Sequence, residues 1–191
     1  MSENAREAIL AAAKSAAQLH GYSGINFRSI ADEVGIKNAS IYYHFPSKAE
    51  LGAAVAQRYW QDTQAALEAI GADEADPYQC LQRYPSVFRK TLKDENRLCL
   101  SSFMAAEHED LPEQVSKEVQ AFAEVNVKWL AEVLARAGLG DPQQCARRAR
   151  AIYTAVAGAQ LIARTQANVE VFDDLILSYQ EAGLIPVGPS A

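Results

Sequence analysis

The sequence is poor in cysteine, and Cys80, Cys99 and Cys145 stand far apart along its 191 residues. Three thiols at such separations form neither a disulfide framework nor a paired metal motif, so the chain reads as a reduced protein. It also lacks an apolar run approaching the ~20 residues that span a bilayer, and the basic flank and apolar core of a signal peptide. A cytoplasmic protein with no membrane partner is therefore expected. Basic residues are in deficit: 18 Lys and Arg against 24 Asp and Glu leave a formal net charge of −6, which argues against a protein that coats nucleic acid or anionic lipid over its whole surface. No segment alternates strictly between apolar and polar residues, so no sheet is expected. Nor is there an internal repeat, or a Ser/His/Asp or Cys/His arrangement in recognisable context. His20 and His108 are isolated, and Glu107 and Glu109 read as a helix end rather than a metal box. Neither enzymatic activity nor a cofactor or metal is expected.

What is present is apolar content of 49% with 22% charge, enough for a packed core. The length suits one ordinary domain or a small module fused to a larger one. Charge is unevenly placed. Five basic residues balance five acidic ones in residues 1–50, so the whole −6 lies beyond them, which leaves a neutral end able to meet a polyanion.

Helical spacing recurs almost throughout. Ile9, Ala12, Ala13, Ala16 and Leu19 share one face of a first helix that Gly21 stops. Asn26 caps a short second helix with Phe27, Ile30, Ala31 and Val34 inward, and Gly35 ends it in a left-handed turn. A third short helix turns Ile41 and Phe45 inward. Ser47 and Glu50 form a capping box that opens a long helix to about residue 70, and the acidic GADEADP stretch at 71–77 is the clearest break. Further helices are expected over 77–93, 98–109, 112–137, 142–166 and 170–182, with Pro85 kinking or splitting the first and Asp141-Pro142 opening the fourth. The PVGPSA tail is expected to fray. The fold class is all-α, divided into residues 1–46 and 47–191, with the long helix linking the two.

Residues 26–51, NFRSIADEVGIKNASIYYHFPSKAEL, carry the chemistry. Two short helices joined by a glycine turn, apolar only inward, describe a helix-turn-helix. The outward positions Lys37, Asn38, Ser40, Tyr43 and His44 all donate hydrogen bonds and none is acidic, a surface suited to phosphates and base edges. Lys48 sits at the positive end of a helix dipole, a disfavoured place for a cation unless a phosphate joins it.

The run Ile30, Ala31, Val34, Gly35, Ile36, Ala39, Ser40, Ile41, Tyr42, Tyr43, His44, Phe45, Ser47, Lys48 and Leu51 resembles the N-terminal domain of the TetR family of bacterial one-component regulators. Two positions depart from the family pattern: Asn26 stands where Thr is more common, and Lys37 where Ser usually caps the recognition helix. The resemblance implies that Arg28 and Asn38 reach base edges, that Ala39 meets a thymine methyl and that Tyr43 packs on the groove wall. Asn26, Lys37, Ser40, Tyr42, His44 and Lys48 would hold phosphates, although Tyr42 reads equally well as core. Double-stranded DNA carrying an inverted repeat is the implied partner, bound by a homodimer.

The resemblance also implies that the C-terminal body dimerises and encloses a small-molecule effector. Ala151, Ala155, Gly158, Ala159 and Ile162 form a small-residue stripe, bordered by Leu161 and Thr165, and Phe172, Leu175, Ile176 and Tyr179 face it from the last helix. Packing within one subunit is the alternative. For the effector, Phe122, Asn126 and Trp129 share one stripe with Val115, Val119 and Val133, while Tyr153 and Gln160 share another with Val156. Phe88, Leu92, Phe103 and Met104 supply further wall. An apolar pocket with a few polar groups suits an apolar or weakly polar molecule, although Asn126 and Gln160 would equally satisfy neighbouring backbone. Arg147, Arg148 and Arg150 read as a solvated face. The expected function is a ligand-responsive transcriptional regulator, a repressor. The alternatives are an all-helical interaction module without DNA binding, and a regulator sensing oxidants through Cys99, which its neighbours Leu98 and Leu100 would bury.

Overall fold

The structure is a computed structural model that describes residues 2–188; Pro189, Ser190 and Ala191 of the expected frayed tail lie outside the described residues. Among these residues ten α-helices form and no strand: α1 (Ser2–His20), α2 (Phe27–Val34), α3 (Asn38–His44), α4 (Lys48–Asp73), α5 (Pro77–Arg83), α6 (Ser86–Lys93), α7 (Leu100–Ala105), α8 (Glu113–Arg136), α9 (Pro142–Thr165) and α10 (Val169–Glu181). Single 3-10 turns lie at Tyr22–Gly24 and His108–Asp110.

At α2, α5, α9 and α10 a short polar side chain caps the helix start and satisfies an otherwise unpaired backbone donor. Asp76 Oδ1 accepts from Tyr78 N ahead of Pro77, and Asp141 forms a full capping box with Gln144 ahead of Pro142. Pro85 splits the expected 77–93 helix into α5 and α6, because a proline has no N–H to continue the ladder. Two expectations need correction. α4 runs on through Gly71 to Asp73, since buried Leu67 and Ile70 anchor its last turns and one helical glycine costs only ~1 kcal/mol. The expected 98–109 helix shrinks to α7. Glu95 and Asn96 hold left-handed backbone before it (φ 56° and 55°), and Glu107 leaves helical geometry after it to bond elsewhere.

The chain forms two compact units. The first contains the residues up to Gln61 together with Leu100–Phe122, and the second Asp62–Cys99 together with the residues from Ala123 on. This grouping differs from the sequence division at residue 46, because α7 and the start of α8 join the N-terminal helices. In the first unit α1 packs on α2 and α7, and α2 on α3, around Ile9, Ala13, Ile30, Ile41, Leu51 and Val55, all buried. In the second, α9 packs on α6 and α10 around Tyr84, Phe88, Ile152, Val156 and Phe172, each large side chain worth roughly 1.5–3 kcal/mol of burial. Arg89 of α6 grips Asp173 of α10 with two bonds, Nε–Oδ1 2.7 Å and Nη2–Oδ2 2.6 Å. Arg148 is not part of a solvated face: its guanidinium donates to the carbonyls of Gly183 and Leu184 beyond the end of α10. Arg147 and Arg150 are exposed.

Candidate nucleic-acid interface

The site grows from two caps and a turn. Asn26 Oδ1 accepts from Ser29 N at 3.1 Å and starts α2, and Gly35, at φ 74°, ends it in a left-handed conformation that a Cβ would strain. Lys37 stands at the N-cap of α3 with no side-chain cap bond, as its departure from serine suggested. With only seven residues, α3 is held by its inward side chains, Ile41 fully buried and Phe45 just beyond it 3% exposed. That anchoring fixes which side chains turn outward.

Asn26, Arg28, Lys37, Asn38 and Ala39 are exposed, while Ser40, His44 and Lys48 are half-buried. Tyr43 is 81% exposed, far beyond any other large apolar or aromatic side chain described. Tyr42 is 52% exposed, with one ring edge on Phe27 at 4.8 Å between centroids, so its hydroxyl end is not committed to the core. Phe45 belongs to the core. Asn26, Arg28, Asn38 and Tyr42 of this set line a concavity of about 400 Å³ with half-buried Lys48 and with Ser23, Ile25 and Phe27, whereas Lys37, Ala39, Ser40, Tyr43 and His44 are not part of its lining. No carboxylate lines it. Such a notch offers charged and neutral donors to phosphate and base-edge acceptors without like-charge repulsion.

Lys48 is held in place. Its Nζ donates to Ser23 O at 3.3 Å and lies 4.6 Å from the centroid of the Tyr22 ring, a cation–π arrangement that restrains a flexible stem. Glu107, a helix end by its sequence context, accepts from Tyr22 N at 2.5 Å through Oε2, with Ser23 N 3.4 Å from Oε1. No spacing rule signals a contact across 85 residues.

The residues expected to meet an effector divide between the units. Phe103, Met104 and Phe122 lie in the first, and Phe88, Leu92, Asn126, Trp129, Tyr153 and Gln160 in the second. Asn126 is fully buried and accepts from Tyr84 Oη at 2.9 Å. Burial pushes the Tyr84 phenol well above its ordinary range and raises Tyr153 too. Gln160 is fully buried, accepting from Cys99 N at 3.0 Å and donating to Phe88 O at 2.8 Å and Thr91 Oγ1 at 2.5 Å. Trp129 edges a concavity of about 180 Å³ that also holds Glu68, Lys128 and Glu132. Of the residues expected at a dimer face, Gly158 and Ile162 are exposed and Ala155, Leu175 and Tyr179 half-buried. Ala159, Phe172 and Ile176 are buried inside the chain. All three cysteines are buried, and burial raises the Cys80 thiol above its ordinary value. Among the described residues no helix is long and apolar enough to cross a membrane.

Comparisons with known proteins bear on this geometry. Residues 9–55 match the family described as bacterial regulatory proteins, tetR family. Residues 77–176 match the LmrA/YxaF-like transcriptional regulator C-terminal domain. No curated protein matches the chain. Among solved structures, a TetR transcriptional regulator from Legionella pneumophila is 29% identical with a TM-score of 0.86, covering 92% of this chain and 95% of its own. A TetR-family regulator from Agrobacterium tumefaciens is 27% identical with a TM-score of 0.88, over 95% and 98%. The reduced form of E. coli NemR shares the fold at 21% identity and a TM-score of 0.82, over 98% and 100%.

Proposed function

The chain belongs to the TetR family of bacterial regulatory proteins, non-enzymatic DNA-binding regulators, and from that premise we propose that it is a ligand-released repressor acting as a homodimer on an inverted repeat. The observation that carries the reading is the acid-free notch, together with Tyr43, 81% exposed on the helix that also carries Asn38 and Tyr42. On its seven-residue helix the Tyr43 ring meets His44 edge-on at 5.2 Å between centroids and otherwise faces water; against a groove wall it gains apolar contact. Arg28 and Asn38 read base edges, with guanine and adenine as their preferred partners. Asn26, Lys37, Ser40, Tyr42, His44 and Lys48 hold phosphates and set register, and Ala39 meets a thymine methyl.

One such head covers too few base pairs for tight specific binding, so two must act together, their α3 helices about 34–36 Å apart. The dimer face we favour runs along the outward side of α9, where Leu161 is 51% and Ile162 48% exposed beside Gly158, with Leu177 of α10 at 53%. A Cβ built on Gly158 meets nothing within 4 Å, which leaves room for another backbone. A small apolar or weakly polar effector releases the repressor by favouring a conformation whose recognition helices no longer match one turn of duplex. To shift occupancy tenfold it must bind that state about 1.4 kcal/mol more tightly.

Selection of binding sites from random duplexes by the full-length protein tests the proposal. The expected product is a two-fold symmetric site with half-sites one helical turn apart. Absence of saturable binding at low salt, or enrichment of a single unrepeated site, refutes it.

A further inference from the structure

The short turn that carries Lys48's partners is built around a missing cap. The Tyr22–Gly24 turn begins after Gly21, which contributes no side-chain cap bond, so the acceptor for its first donor has to come from elsewhere. Glu107 supplies it from the segment after α7, taking the Tyr22 N–H on Oε2. Close fit accompanies the bond: a Cβ on Gly21 would lie 2.1 Å from that same oxygen, so the carboxylate is seated directly on the glycine. The turn then spends its other groups toward the DNA face. Ser23 O and the Tyr22 ring hold the Lys48 ammonium, and two residues beyond Gly24 stands the Asn26 cap.

We infer that Glu107 is a positioning residue for DNA binding: its carboxylate fixes the 21–24 turn, which in turn aims Lys48 at a phosphate. The inference rests on the repressor reading above. It places the control point outside the helix-turn-helix sequence, in the segment that follows α7, where any displacement of Glu107 would loosen the lysine's support. Simple electrostatics argues the opposite sign. A carboxylate near a phosphate-binding face repels DNA, so on charge alone its removal strengthens binding.

The test uses full-length protein and a fluorescent duplex selected by the wild type. Glu107→Gln keeps the stem and a weaker neutral acceptor, and Glu107→Ala removes both. Positioning predicts graded weakening, about twofold to threefold for Gln and about tenfold for Ala, because charge-assisted bonds are roughly twice as strong as neutral ones. For Ala the log–log salt slope also falls by about 0.9, one phosphate contact. On a Lys48→Ala background Glu107→Ala then costs less than about twofold, since both act through one contact. Amide exchange at Tyr22 and Ser23 accelerates in the same order. Affinity that rises equally in both variants, or losses that add on the Lys48→Ala background, overturn the inference; Gln alone decides the sign should Ala fail to fold. A wild type that selects no duplex removes the repressor reading itself and this role with it, whereas the former outcomes remove only the role of Glu107.

Discussion

Replacing Gln160 by leucine separates two roles that a buried amide can play. In the structure its side chain joins three groups: it accepts from the backbone of Cys99 and donates to Phe88 O and Thr91 Oγ1 of α6. Leucine fills a similar volume and removes all three bonds. At about 1 kcal/mol net for each, against a partial return from apolar burial, the loss comes to roughly 2–3 kcal/mol. For a chain of this size each kcal/mol moves the thermal midpoint by about 2–4 °C, so a fall of about 4–12 °C is expected. Differential scanning calorimetry at fixed protein concentration measures it, since any dimer makes the midpoint concentration-dependent. A fall below about 2 °C would refute the assignment of Gln160 to the fold. It would mean that its partners are easily re-satisfied, and that the amide is available to an effector.

Three further outcomes follow from the same geometry. Arg28→Ala or Asn38→Ala should relax preference at one base pair of each half-site by about 1–3 kcal/mol in competition titrations, whereas Lys48→Ala should weaken all duplexes alike and lower the salt slope by about 0.9; an unchanged slope would remove Lys48 from the phosphate contacts. Leu161→Glu with Ile162→Glu should yield monomers by sedimentation velocity and abolish binding to the full inverted repeat, and a persisting dimer would move the interface elsewhere. The hydrogen bond from Arg89 lowers the Asp173 carboxyl below its ordinary value, against a smaller opposing effect of desolvation. Because the folded pKa is depressed, this contribution is present above the ordinary carboxylate range and is lost as pH falls through the folded value. Asp173→Asn should therefore show a shallower fall in thermal midpoint below about pH 4 than the wild type, and parallel profiles would show that the pair contributes nothing.

What the sequence made legible was local. Asn26, Gly35, Asp141 and Pro85 each act within a few residues of themselves, so their caps, turn and break could be read from spacing. Outward donors on α3 were legible for the same reason: two anchors, Ile41 and Phe45, fix the rotation of a two-turn helix. Gln160 and Asn126 stood out as amides on apolar stripes, but their partners are 61 and 42 residues away, and no periodicity encodes which backbone or phenol closes the bond. The dimer stripe shows a second limit. A small-residue pattern marks where helices approach closely without saying whose helix approaches, and Ala159, Phe172 and Ile176 are already buried within the single chain.

The division into units sharpens that contrast into an argument about control. A helix-turn-helix read from residues 26–51 alone looks self-sufficient, with its own caps and its own core. Yet α7 packs on α1, and the acceptor for the turn before α2 comes from Glu107. Chain that lies beyond α4 in sequence therefore contributes backbone satisfaction as well as apolar cover to the head. Such a bond is directional and short-ranged, so it is lost over displacements of an ångström that leave apolar packing nearly intact. Any conformational change in the segment after α7 would thus reach Lys48, the proposed phosphate contact, through a hydrogen bond before it disturbed the core beneath it. A head bearing Glu107→Ala should keep its helices by circular dichroism while losing affinity for its operator, and a parallel loss of helix content would show that core packing, rather than this bond, carries the coupling.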